Sequence, residues 1–332
     1  MSALPKISIR LDGGMSPAEC VRLACAAEAA GFASVWFAEN AFARGILPAA
    51  AACAAATSRI AINAGVFNPY SRHPTMMAME IAALDELAGG RVGLGLGSGI
   101  AAATRRLAID PDKPLPALRD ALAIVRGLLA GETVDHAGDH FSARGVALEC
   151  PARADLPIYL AGRGRLTVKF AGEAADGLIV SNMCTVAFAG GLAATVAAAR
   201  GSRPPAAIVQ YMPAAVGADG DAAVKRALGA VGAMVPRYWA LAAKVPAAKA
   251  ALTEGAGIDD ETFADAARRL ADEPADRALD GRFAHAFALA GTVDDCLARA
   301  ADYRAAGVTE LALTFSGPDA ADEIAALGRA LA

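Results

Sequence analysis

Short apolar runs alternate along the chain with longer segments in which apolar residues recur three and four positions apart. Residues 7–11, 34–38 and 60–65 are runs rich in branched or aromatic side chains, which is typical of buried strands. The segments that follow them have helical spacing, so each predicted strand leads into a predicted helix. Residues 91–97 and 157–161 continue the same order further along the chain.

Three more predicted strands complete the pattern, at residues 178–181, 206–216 and 310–315. Eight strands that each lead into a helix through right-handed crossovers predict an α/β fold, the (β/α)8 TIM barrel, and an open doubly wound sheet is the alternative. We expect residues 1–332 to form a single domain of this kind. Functional groups in such a barrel come from the carboxyl ends of its strands.

Two stretches interrupt the regular alternation. Residues 133–148 lack helical spacing and contain Ala-Gly-Asp, which predicts a small hairpin inserted after a helix. From about residue 219 to residue 287 the chain is helical in pattern and contains no strand-like run. That length is too great for one crossover, so we expect an inserted helical region before the last strand.

Composition narrows the class of function. The chain has 332 residues, of which 55% are hydrophobic, and a net charge of −4. It has no basic tract, so we expect no nucleic-acid partner. It also has no leader-like start and no charge-free run of about 18 residues, so we expect a cytoplasmic protein without membrane contact that acts on a small molecule.

The residue types that can bind metal ions are few and are scattered along the sequence. The six cysteines have no metal-type spacing, and we expect most of them to be buried. His136 and His140 lie four positions apart, but in the predicted hairpin and with no third ligand nearby. We therefore predict no metal site.

Glycines mark one predicted strand and the loop after it. Gly93, Gly95, Gly97 and Gly99 occupy alternate positions, so they share one side of the strand. A strand face that carries only glycines has no side chains to pack. It suggests that a ligand approaches the backbone there. Gly97, Ser98 and Gly99 would end the strand in a loop whose amides could bind an anion, and a plain tight turn is the alternative.

A second glycine loop follows the next barrel strand. Gly162, Arg163 and Gly164 stand just before a predicted helix. Backbone amides, a helix N-terminus and a guanidinium group all suit a phosphate. Two such loops on adjacent strands predict a phosphate-binding site, with Ser181 at the end of the strand after them.

Other strand ends carry candidate catalytic side chains. Glu39 and Asn40 follow the second strand and could position a substrate or a cofactor ring, or else form a surface turn. His73 stands before Pro74 and is a candidate proton donor or, as the simpler interpretation, a helix-start residue. Asp85 and Glu86, together with Arg91 at the opposite end of the barrel, predict a structural ion pair.

A family resemblance emerges from two longer stretches. Residues 65–74 have the sequence GVFNPYSRHP and residues 84–99 the sequence LDELAGGRVGLGLGSG. They resemble the bacterial luciferase-like superfamily and, within it, the methylenetetrahydromethanopterin reductases and related coenzyme F420-dependent oxidoreductases. Shorter matches at 29–36, 157–162 and 171–177 extend the resemblance over most of the chain.

The resemblance implies a deazaflavin or flavin, F420 with FMN as the alternative, held at the carboxyl ends of the barrel strands. It implies a non-prolyl cis peptide bond between Gly65 and Val66, which forms a bulge behind the ring, with Asn68 nearby. By the same resemblance, the two glycine loops take the cofactor phosphate, and Glu39 and Asn40 lie near the ring. Relatives pair through helices of the second and third units, so a homodimer or higher homo-oligomer is implied.

Two positions depart from the family pattern. Arg10 stands on the first strand, where the reductase branch has a glutamate, and it could hold an anionic substrate or a flavin carbonyl. Asn40 replaces a residue that titrates. We therefore predict an oxidoreductase that transfers a hydride between F420 and a small organic substrate. The alternatives are a monooxygenase that uses reduced FMN and O2, and a barrel that binds the cofactor without catalysis.

Overall fold

The fold was analysed in a computed structural model that describes residues 4–331. The strands are β1 (Lys6–Asp12), β2 (Ser34–Ala38), β3 (Ala61–Phe67), β4 (Val92–Leu96), β5 (Val134–Ala137), β6 (Ser142–Val146), β7 (Ile158–Ala161), β8 (Gly177–Val180), β9 (Ala207–Val216), β10 (Leu289–Gly291) and β11 (Glu310–Phe315). The first seven helices are α1 (Pro17–Ala29), α2 (Ile46–Ala56), α3 (Pro74–Leu87), α4 (Ala101–Arg105), α5 (Pro114–Leu129), α6 (Arg165–Ala174) and α7 (Val186–Arg200). The others are α8 (Gly220–Gly232), α9 (Val235–Ala242), α10 (Pro246–Thr253), α11 (Asp260–Arg269), α12 (Ala275–Ala278), α13 (Gly281–Phe287), α14 (Val293–Ala305) and α15 (Ala320–Leu331).

Eight parallel strands close into a barrel. The sheet order is β10-β9-β11-β1-β2-β3-β4-β7-β8, and β8 also pairs with β9, which closes the ring and leaves β10 outside it. The predicted (β/α)8 TIM barrel is therefore confirmed, with β5 and β6 as the hairpin and α8 to α13 as the helical insertion. The prediction missed α4 and β10, which have only five and three residues and so carry little periodic signal.

Local sequence signals explain where the helices begin and end. Ser16 caps α1 by accepting a hydrogen bond from the Glu19 amide, and Pro17 follows as its first residue. The Glu19 carboxylate does not close a capping box, because it pairs with Arg22 at 2.7 Å. Gly31, with φ of +75°, ends this unit in the left-handed conformation that glycine adopts most easily.

The inside of the barrel is filled by aromatic side chains. Trp36 from β2 and Tyr211 from β9 are buried there, and their rings meet edge to face at 5.9 Å. Tyr159 from β7 meets Trp36 in the same way at 5.0 Å. A Cβ on Gly65 would lie 2.7 Å from the Tyr211 hydroxyl oxygen, and one on Gly177 would lie 2.5 Å from Tyr159 Cδ1. These glycines therefore make room for the three rings.

The same explanation corrects the interpretation of the glycine strand β4. A Cβ on Gly93 would lie 2.5 Å from Asn63 Oδ1, and one on Gly95 would lie 2.6 Å from Ile179 Cδ1. The space in front of these two glycines is thus already occupied by side chains from β3 and β8. Gly93 and Gly95 therefore serve the packing of the barrel interior.

The amino-terminal end of the barrel is closed by polar networks. The buried Glu310 carboxylate accepts hydrogen bonds from Ser8, Ser34 and the Trp36 indole at 2.6–2.7 Å. No helix within residues 4–331 has the length and apolarity needed to cross a bilayer.

The predicted ion pair of Asp85 and Glu86 with Arg91 is wrong, since Arg91 pairs with neither acid within residues 4–331. Asp85 instead pairs with Arg153 at 2.9 Å and accepts from the Val92 amide. Arg91 donates to four backbone carbonyls, those of Ala54, Thr57, Ile60 and Ala88. Both residues are structural, but each has a partner that lies too far along the chain to be inferred from spacing.

Candidate active site at the mouth of the barrel

The carboxyl ends of the barrel strands form the end that we call the mouth. At the end of β3 the peptide bond between Gly65 and Val66 is cis, as the resemblance predicted. The pairing of β3 with β4 shifts register between Gly65 and Phe67, so the strand bulges here. The buried Tyr211 hydroxyl donates to the Gly65 carbonyl oxygen at 3.2 Å and holds the bulge from below.

The loop after β4 lies directly against this bulge. A Cβ on Gly97 would lie 3.0 Å from Val66 Cγ2, and one on Gly99 would lie 2.9 Å from Asn68 Nδ2. The Gly97 amide is already used, because it donates to the Phe67 carbonyl oxygen at 3.0 Å. The amides of Ser98 and Gly99 have no acceptor within residues 4–331 and remain available to an anion.

The loop after β7 offers a second set of open amides. The helix α6 begins after Gly164, which makes no side-chain cap. The amides of Gly162, Arg163 and Gly164 have no acceptor in the described part of the chain. An uncapped helix N-terminus with free amides attracts negative charge, so this loop fits a phosphate.

Arg163 and Ser181 are brought together, but not in the way that the sequence suggested. Arg163 Nε and Nη2 lie 3.1 and 2.8 Å from Ser181 Oγ, and Nη2 also donates to the Asn182 carbonyl oxygen. The guanidinium also lies 4.9 Å from the ring centre of Tyr238, in α9. Because one edge of Arg163 is occupied, only Nη1 is left for a ligand. Asn182 Oδ1 is buried with no donor within residues 4–331.

Glu39 does not stand free at the mouth. Both of its oxygens accept from Arg72, at 3.2 and 3.3 Å. Arg72 Nε lies 2.9 Å from Glu80 Oε2, and its guanidinium stacks 4.2 Å from the ring centre of Phe67. Sequence reasoning missed Arg72 as a site residue, although it lies within the recognised 65–74 motif. The bidentate pair makes Glu39 a fixed charge at the mouth.

The other two catalytic candidates on this side are exposed. The Asn40 side chain has no partner within residues 4–331. His73 is the N-cap of α3, and its Nδ1 lies 2.8 Å from the Thr75 hydroxyl. Its ring meets that of Phe141, from the hairpin, edge to face at 5.8 Å. The structure thus places His73 in the helix-start role, and its role as a proton donor stays a prediction.

Arg10 lies inside the barrel, just below the mouth. Its Nη1 donates to Asp12 Oδ2 and Thr314 Oγ1, both at 3.2 Å. Its guanidinium lies 5.5 Å from the ring centre of Tyr211. Burial raises the pKa of the Tyr211 phenol, with the Arg10 charge acting in the opposite direction. The phenol therefore stays protonated at neutral pH and can donate to Gly65.

No cluster of three or more histidine, cysteine or acidic side chains that could hold a metal ion occurs in the part of the chain that the structure describes. His136 and His140 are both tied to the same carboxylate. His136 Nε2 lies 3.0 Å from Asp120 Oδ1, and the His140 amide donates to Asp120 Oδ2. They anchor the hairpin to α5.

Sequence comparison relates the chain to a known family of proteins. Residues 1–310 match the family described as luciferase-like monooxygenase. A 5,10-methylenetetrahydromethanopterin reductase of Methanolobus tindarius is 29% identical over 309 residues, which cover 91% of this chain and 92% of that protein.

Solved structures show the same fold. The coenzyme F420-dependent tetrahydromethanopterin reductase of Methanopyrus kandleri has a TM-score of 0.86 at 24% identity, over 98% of each chain. The FMN complex of the oxygenating constituent of 3,6-diketocamphane monooxygenase from Pseudomonas putida has a TM-score of 0.75 at 18% identity, over 98% of this chain and 97% of that one. Because the family match spans almost the whole sequence, this chain belongs to the luciferase-like monooxygenase family.

Proposed function

We propose that the protein transfers a hydride between coenzyme F420 and a small organic substrate at the barrel mouth. It is an F420- or flavin-dependent oxidoreductase of the luciferase-like family, and the proposal concerns which cofactor and which reaction. The observation that carries it is the bulge at Gly65 and Val66, with an open-amide loop on each of the next two strands.

Each part of the mouth has a task in this proposal. The amides of Ser98 and Gly99 and the uncapped start of α6 would bind the cofactor phosphate, since both offer free N–H donors. The bulge would support one face of the ring and fix its height above Tyr211. Bound F420 would supply a hydride at C5 of its deazaflavin, and the protein would supply position and charge.

Two observations favour F420 over FMN. The relative aligned over 91% of the chain has the name of a methylenetetrahydromethanopterin reductase. The solved structure with a TM-score of 0.86 is described as F420-dependent. A monooxygenase that uses reduced FMN is the second candidate, because an FMN complex shares the fold with a TM-score of 0.75.

Titration of the cofactor-free protein with F420 and with FMN tests the proposal. We expect F420 to bind at least tenfold more tightly than FMN, followed by the change in its fluorescence. The reverse preference would reject F420 and favour the monooxygenase. Binding of F420 without reduction of any pterin, nitro or aldehyde substrate would favour a barrel that only binds.

A matched pair of variants tests the phosphate site within the same titration. Nothing lies within 4 Å of a Cβ on Gly164, so a side chain fits there, and its φ of −72° suits an N-cap residue. Asp and Asn both cap helices well. Gly164→Asp places a negative charge at the proposed phosphate site, whereas Gly164→Asn keeps the shape without the charge. We expect F420 to bind at least tenfold more weakly to the Asp variant than to the Asn variant, and equal affinities would move the phosphate elsewhere.

We also propose that the protein pairs with a second copy through α2 and α3. The outer face of α3 exposes three large apolar side chains, Met76, Met79 and Leu87, by 45%, 42% and 53%, beside the exposed Glu86. The helix α2 beside it contains no charged or polar residue over its whole length. Exposed large apolar side chains on one helix, beside a helix without charged or polar residues, are typical of a protein–protein interface.

A further inference from the structure

Only one nitrogen of the Arg10 guanidinium group, Nη1, makes hydrogen bonds within residues 4–331. The side chain lies on the inner face of β1 and is 11% exposed. Its Nη1 reaches Asp12 and Thr314, which stand at the carboxyl ends of β1 and β11. These two contacts fix the plane and the direction of the guanidinium group.

The other edge of the same guanidinium has no partner. Nε is buried and has no acceptor within residues 4–331, and Nη2 makes no hydrogen bond to any of those residues. A buried donor without an acceptor is destabilising, and a ligand that accepts from it would remove that cost. The Nε and Nη2 hydrogens point the same way, and their spacing matches the two oxygens of a carboxylate.

The position of this free edge relates it to the proposed cofactor site. Arg10 lies 5.5 Å from the ring centre of Tyr211, and the hydroxyl of that ring donates to the Gly65 carbonyl at the bulge. One aromatic side chain therefore separates the guanidinium from the bulge. Arg72, another cation at the mouth, is already paired with Glu39 and Glu80.

We propose that the free edge of Arg10 binds a carboxylate of the substrate, which makes Arg10 a specificity-determining residue for organic acids. The proposal rests on the proposed function only in taking the cofactor to lie beside the bound carboxylate. Carboxylate binding itself needs only the protein, so the two can fail separately.

Calorimetric titration of the cofactor-free protein with matched acids and amides tests this. The probes are benzoate against benzamide and acetate against acetamide, which differ in charge but hardly in shape. We expect at least one acid to bind tenfold or more tightly than its amide. Arg10→Met should remove that preference, and Arg10→Lys should retain part of it, because lysine keeps the charge but not the planar two-donor edge.

Two controls separate the site from general effects. Arg22→Met removes a surface arginine on α1 and changes the net charge equally, so it should leave the preference for acids intact. Thermal unfolding of each variant reports its folding, and Arg10→Lys decides the question if Arg10→Met does not fold. Thr314→Val removes one contact that orients Arg10 and should weaken acid binding by a smaller factor.

Three results would overturn the inference. The first is that no acid binds better than its amide. The second is that Arg10→Met, or Arg10→Lys in its place, leaves acid binding unchanged. The third is that Arg10→Met weakens F420 binding and leaves benzoate and acetate unaffected, which would assign the free edge to the cofactor. Failure of F420 to bind the unaltered protein would contradict the proposed function while the comparison of acids with amides stands.

Discussion

At the scale of single residues, the glycines of this barrel divide into two groups with different tasks. Gly65, Gly93 and Gly177 face inward and leave space for Trp36, Tyr159 or neighbouring side chains. Gly164 faces open space and ends a loop whose amides are free. The alternation of glycines is visible in the sequence, but the side chain opposite each one belongs to another strand. Their tasks therefore follow only from the barrel.

Gly65→Ala should destabilise the protein, because the new Cβ would lie 2.7 Å from the Tyr211 oxygen and 2.9 Å from the Trp36 ring. We expect a loss of about 1–3 kcal/mol in the free energy of unfolding, as for other overpacked cores. Gly229→Ala is the control, since it lies in α8 with nothing within 4 Å. It should stabilise by up to about 1 kcal/mol. If denaturant unfolding shows that both substitutions change the free energy of unfolding in the same direction, this account is contradicted.

At the scale of elements, the hairpin of β5 and β6 shows how an insertion is tied to the barrel. Asp120 in α5 accepts hydrogen bonds from the His136 ring and from the amides of His140 and Phe141. Burial would raise the pKa of Asp120, but these hydrogen bonds outweigh it and hold the pKa below its usual value. One buried carboxylate therefore fastens the whole hairpin.

The attachment of the hairpin should depend on pH in a defined direction. Because the pKa of Asp120 is lowered by folding, its contribution is complete above the unfolded value of about 3.9 and is lost as pH falls through the folded value. We expect Asp120→Asn to lose about 1–3 kcal/mol in the free energy of unfolding at pH 7. The difference in the free energy of unfolding between this variant and the unaltered protein should become smaller below pH 4. A difference that stays constant from pH 7 to pH 3 would contradict the assignment.

Elements with a strong local signal were predicted well. The bounds of β11 agree residue for residue with the strand predicted at 310–315, because an apolar run between Gly307 and Gly317 defines it. The cis bond between Gly65 and Val66 was predicted only from the family resemblance. The predictions that failed concern side chains whose partners are distant in the sequence. Arg72 reaches Glu39, and Arg153 reaches Asp85 from 68 positions away.

At the scale of the whole molecule, one end of the barrel is built for stability and the other for binding. The amino-terminal end holds Glu310 with its three donors, and the Asp85 and Arg91 networks. The mouth holds the bulge, the open amides and the half-satisfied Arg10. Barrels of this class are divided in the same way. In the proposed pairing, the exposed apolar side chains of α2 and α3 would contact those of a second copy.

Met79→Glu should disrupt the proposed pairing, because it places a charge in the centre of the apolar face of α3. We expect light scattering coupled to size-exclusion chromatography to show a dimer for the unaltered protein and a monomer for the variant. Leu241→Glu in α9 is the control, since Leu241 is 43% exposed against 42% for Met79. It should leave the dimer intact. A monomeric unaltered protein would contradict the pairing.

The central claim is that the mouth holds F420 between the bulge and the two glycine loops. A crystal structure of the protein with F420 tests it most directly. We predict density for the deazaflavin ring against the Gly65 and Val66 peptide, with the phosphate on the amides of residues 98–99 and 162–164. A ring bound anywhere else, or a phosphate that touches neither loop, would contradict the account.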